Sequence, residues 1–178
     1  DQTKTTISEP EEGQRTIYWA NGDRLAANGV ASAALANVPE ECTSATFEFD
    51  GILQAPVNYL YHASYCVGEN TVELPANQDA IAVLPMYGHA DEVGSAQLHA
   101  LTAYLNISLK KASGEEADSD KIRKIVISST TQSLSGKFTI DYTTGVLTSE
   151  EADPKALEVT FKRTLTDDPI SLTVAVPA

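Results

Sequence analysis

The side chains with the reach for nucleophilic or metal chemistry are few: His62, His89, His99, Cys42 and Cys66. The histidines are far apart in the chain, and none stands near a Ser-x-Gly elbow or at a motif spacing from a carboxylate. A hydrolytic triad is therefore not expected. The cysteines lack a Cys-x-x-Cys pattern and the histidines are unpaired, which disfavours zinc. Cys42 and Cys66 read either as two ordinary thiols or as one disulfide closing a medium loop, worth about 3 kcal/mol in an oxidising compartment. The acids come largely as doublets in expected loops, such as Glu40-Glu41 and Glu150-Glu151, and read as solvated surface rather than paired catalytic carboxylates. Asp118-Ser119-Asp120 lacks the glycine and the distal glutamate of a calcium loop. Gly136 and Gly145 precede no helix, so neither cradles a phosphate. Asn106-Ile107-Ser108 fits a glycosylation pattern but falls inside a strand. Tyr59, Tyr61 and Tyr65 share strand parity, so they form either core and rim or, with one face exposed, a stacking platform for a glycan. No catalytic residue, cofactor or metal is expected.

The totals agree with this absence of chemistry. Lys plus Arg number 12 and Asp plus Glu 25, a net charge of −13 in 178 residues. Nucleic acid and anionic membrane surfaces would be repelled by that field. Hydrophobic residues make up 42% but are scattered in short alternating runs, with no stretch approaching the ~20 residues of a membrane-spanning helix. The chain opens at Asp1 without a basic, apolar leader, and reads as a mature or trimmed product.

The elements that would position these residues are strands. Leu101, Ala103, Leu105, Ile107 and Leu109 alternate with polar residues, the period of two of a half-buried strand. Residues 122–128 and 134–142 follow, so residues 98–148 are expected to form a three-stranded meander. Asn21-Gly22 is the favoured dipeptide of a two-residue hairpin, with Trp19 inside. Phe47 and Phe49 point inward from a strand at residues 46–50, and residues 80–84 form a short apolar run expected as a central strand. Residues 157–161 and 170–176 alternate again, whereas residues 26–39 carry no clear pattern. About ten strands and no helix-period segment predict one all-β domain, an antiparallel two-sheet β-sandwich with Greek-key connections, preceded by an arm at residues 1–14 that is mobile or cleavable. The last strand stays patterned almost to Ala178, which reads as one domain of a longer protein.

Several stretches together resemble the fimbrillin family of Bacteroidetes, pilus subunits of FimA and Mfa type and related surface lipoproteins. They are Trp19-Ala20-Asn21-Gly22-Asp23-Arg24-Leu25, Phe47-Glu48-Phe49-Asp50-Gly51, Tyr61-His62-Ala63-Ser64-Tyr65, Leu74-Pro75-Ala76-Asn77-Gln78, residues 101–109, and Leu134-Ser135-Gly136-Lys137-Phe138-Thr139-Ile140-Asp141 with Gly145. The resemblance implies an N-terminal domain with a transthyretin-like sandwich, in a two-domain lipoprotein held at the outer membrane by a lipid anchor upstream of this chain. It implies a non-enzymatic structural or adhesive subunit of a cell-surface fimbrium that joins other subunits by β-strand exchange, with host or bacterial surfaces as further ligands. Processing by an arginine-directed protease would fall at Arg15, and the exchanging backbones would be residues 3–7 and 170–176. A surface glycan-binding module using Tyr59, Tyr61 and Tyr65 is the alternative.

Overall fold

In the computed structural model, residues 6–7, 16–78, 85–111, 121–165 and 167–178 are described. They are almost wholly β, with one short 3-10 turn at Ala63–Tyr65. Strand β1 (Thr6–Ile7) pairs with β2 (Ile17–Tyr18). A five-stranded sheet runs in the order β10 (His99–Ala100), β9 (Met86–Ala90), β5 (Val57–Tyr61), β3 (Leu25–Ala27) and β4 (Val30–Ala31). A four-stranded sheet runs β14 (Leu147–Ser149), β13 (Gly136–Ile140), β7 (Thr71–Leu74) and β6 (Cys66–Gly68). A three-stranded sheet holds β12 (Lys121–Ile127), β15 (Leu157–Thr164) and β8 (Asn77–Gln78), and a two-stranded sheet holds β11 (Thr102–Leu109) and β16 (Ile170–Pro177). The pairings are antiparallel except β8 with β15.

The five-stranded sheet is the spine because alternate residues of β3 and β5 enter different cores. Ala26 and Leu60 pack on Val72, Leu74, Phe138 and Ile140 of the four-stranded sheet, with Leu101 and Tyr142 beside them. Leu25, Ala27, Tyr59, Tyr61 and Met86 face the other way, under Trp19, Phe47, Phe49 and Leu98. A third, smaller core joins the two remaining sheets through Leu157, Val159 and Val174. The expected all-β class and its packed antiparallel sheets are present.

The expected meander is not. The three runs sit close to where alternation places them, but β11 pairs β16, β12 pairs β15, and β13 pairs β7 and β14. Their connections are long, so no tight turn holds successive strands together and each finds a distant partner. The Asn21-Gly22 hairpin is likewise replaced. Gly22 takes a positive φ of 89° at a corner closed by Asp23, whose carboxylate accepts the Ala20 N–H at 2.8 Å. The chain thereby leaves β2 for the five-stranded sheet. The two-residue hairpin is made instead by the second Asn-Gly pair, Asn28-Gly29, with φ of 47° and 82°, joining β3 to β4. Phe47 and Phe49 do turn inward, though residues 43–50 form no strand ladder. The central strand expected at residues 80–84 lies outside the described residues.

Candidate functional site: strand edges with one ladder partner

The chemistry-bearing residues do not converge. His62 caps the 3-10 turn, its Nδ1 accepting the Ser64 N–H at 3.2 Å and standing 2.9 Å from Ser64 Oγ. An Nδ1 engaged by a backbone donor two residues on is a turn cap, not a base aimed at a substrate. Burial holds the His62 imidazole below its ordinary pKa, offset in part by the nearby Asp23 carboxylate, with Arg24 adding to the lowering. Asp23 itself is fully buried and accepts the Tyr61 hydroxyl at 2.9 Å. His89 lies on another strand, 2.7 Å from Asn58 Oδ1, and His99 packs its ring against Tyr87. Among the described residues no group of three His, Cys, Asp or Glu could hold a metal ion.

The structure bears on two pairs of alternatives that the sequence leaves open. Cys42 and Cys66 are free thiols. Cys42 bridges to Trp19 on the outer side of the five-stranded sheet, while Cys66 packs into the core on its opposite side. Each donates locally, to Ser44 O at 3.0 Å and Gly68 O at 3.2 Å, and burial raises the Cys66 pKa against the lowering effect of that bond. Tyr59 and Tyr61 are 5% and 1% exposed, so β5 turns their rings into the core, where no sugar can stack. Tyr65, the last residue of the 3-10 turn, is half-buried and packs on the other side of the sheet. Arg15 lies outside the described residues.

What the fold leaves available is main chain. Among the described residues β11 and β12 each pair on one side only, with β16 and β15 respectively. The β11 residues that alternation marks as inward are not sealed: Leu105 is 39% exposed, and Ile107 and Leu109 are half-buried. Their cross-strand partners Val174 and Leu172 are buried, so the apolar face runs from the interior out to the edge. Ile125 and Ile127 of β12 are half-buried against the same core. The result is two strands, β11 and β12, that each carry partly exposed apolar residues and, among the described residues, have one ladder partner.

The last strand is not available in the same way. β16 pairs with β11 along its whole length. On its other side Gln78, 5% exposed, imitates a neighbouring peptide, its Nε2 donating to Ala175 O at 2.8 Å and its Oε1 accepting Ala175 N–H at 3.0 Å. Ala175 of β16 is therefore held from both sides, by β11 and by the Gln78 side chain. Among the described residues the N-terminal pairing is short: Thr6 and Ile7 meet Tyr18 and Ile17 over two residues.

Compared with family models, curated proteins and solved structures, the chain shows no match. No described helix is long and apolar enough to cross a membrane.

Proposed function

We propose that this chain is a structural, adhesive subunit of a bacterial cell-surface fimbrium, a fimbrillin-type N-terminal domain that joins neighbouring subunits by β-strand exchange. The observation that supports this reading is the edge of β11, where exposed Leu105 and half-buried Ile107 and Leu109 lie on a strand that, among the described residues, has β16 as its one ladder partner. A partner strand of alternating apolar residues would complete that ladder with its backbone and cover the apolar side chains with its own. The two-residue ladder between β1 and β2 is the kind of contact that processing could release, because cutting after Arg15 would separate Thr6 and Ile7 from Ile17 and Tyr18. The transthyretin-like, Greek-key arrangement of the sandwich, its place at the outer membrane and the upstream lipid anchor belong to the same proposal.

The test is limited digestion with an arginine-specific protease, followed by size-exclusion chromatography. The reading expects first cleavage after Arg15, concentration-dependent oligomers of the cut chain, and loss of both in Arg15→Ala. A cut chain that stays monomeric at high concentration, or an Arg15→Ala chain that assembles as readily after protease, overturns it.

A further inference from the structure

The outer face of the five-stranded sheet is not fully covered. Residues 43–53 cross it as an extended strap, with the Trp19–Cys42 bridge at its start and the Asn28 side chain donating to Gln54 O and Pro56 O at its end. Between them Ala33 N–H bonds to Glu48 O. Beneath the strap and beside the loop at residues 93–98 lies a cleft of about 820 Å³. Trp19, Phe47, Phe49, Tyr59 and Met86 line its floor and walls, and Trp19 stands edge-on to Phe47 at 5.1 Å. The polar groups that reach it are neutral, hydroxyls and an amide such as Thr46, Ser95 and Gln97. In a chain with 21% charged residues, none of the described residues lining this cleft is charged.

We infer that this cleft is a binding site for an uncharged, mainly apolar small molecule bearing one or two hydroxyl or carbonyl groups. A concave site of roughly 300–1,000 Å³ with aromatic walls and a few neutral polar groups suits such a molecule. A carboxylate or ammonium would lose its hydration there and find no opposite charge. The residues lining this cleft belong to neither β11 nor β12, and the inference does not depend on strand exchange.

The probe is N-phenyl-1-naphthylamine, neutral and apolar, titrated into the intact chain. Trp19 is the sole tryptophan, so energy transfer from it to the bound probe reports this site. Saturable binding sensitised by Trp19 is expected, competed by 1-decanol at least about tenfold more effectively than by decanoate. Ala96→Phe, which puts bulk into the cleft from an exposed loop position, should weaken the probe by about tenfold or more. Ser95→Phe is a second blocker at the neighbouring exposed position. Ile52→Ser, at a residue 93% exposed and away from the lining, should leave binding unchanged. Each variant is checked for an unchanged melting temperature. The inference is overturned if the probe fails to bind, as it would if another part of the chain filled the cleft. Binding without Trp19 transfer, binding indifferent to both blockers, or decanoate competing as well as decanol would overturn it equally.

Discussion

Gln78 holds two sheets together with one side chain, and replacing it by leucine isolates that role. Leucine is close to glutamine in size, so Gln78→Leu makes little cavity. It leaves the Ala175 N–H and C=O without the bonds at 3.0 and 2.8 Å, in a residue 4% exposed. Each orphaned buried backbone group costs about 1–3 kcal/mol, and two of them, with some relaxation, cost about 3–4 kcal/mol. With a urea slope of about 2 kcal/mol/M, the unfolding midpoint should fall by about 1.5–2 M at unchanged slope. Gln78→Glu separates hydrogen bonding from shape. Its carboxylate would accept the Ala175 N–H but face the Ala175 oxygen, so it should be destabilising at neutral pH. Burial and that oxygen would raise the folded-state pKa above the unfolded value of about 4.3, so the variant should regain stability relative to wild type as pH falls. The leucine variant should show no such recovery. Equilibrium urea unfolding at two pH values reads both effects. A Gln78→Leu chain within about 0.5 kcal/mol of wild type would refute the reasoning, because surface substitutions stay inside that margin.

Other perturbations follow from single contacts. At Gly145, φ is +74° and an added Cβ would lie 2.4–2.5 Å from the Tyr87 ring; Gly145→Ala should cost about 2–4 kcal/mol, partly recovered with Tyr87→Ala, in thermal or urea melts. Because burial lowers the His62 pKa, its stabilising effect is complete above the unfolded value of about 6.5 and declines as pH falls through the folded value. Wild type should therefore lose stability relative to His62→Asn on acidification below about pH 6.5, and a difference independent of pH would contradict this. Unfolding without reductant should release two titratable thiols, and in the folded chain Cys66 should react slowly with a disulfide reagent because its pKa is raised by burial; a single mass matching a closed bridge would show otherwise.

Local alternation located most of the longer strands and many of their inward residues, since a period of two is a property of the chain itself, but it misplaced Leu105, which is 39% exposed, and expected a ladder at residues 46–50 that does not form. Phe138 and Ile140, Leu157 and Val159, and Leu172 and Val174 are all buried as their parity implies. Strand partners were not legible, since pairing between strands joined by long loops is decided by which apolar faces can be covered together. That is how β11 came to lie on β16 rather than on β12. Of two Asn-Gly dipeptides, the one at 28–29 became the hairpin because β3 and β4 continue on both sides of it, while Asp23 and Tyr61 draw the other into a corner. The one-sided pairing of β11 and the cleft beneath the strap are likewise tertiary facts, because each depends on how elements distant in the chain pack together.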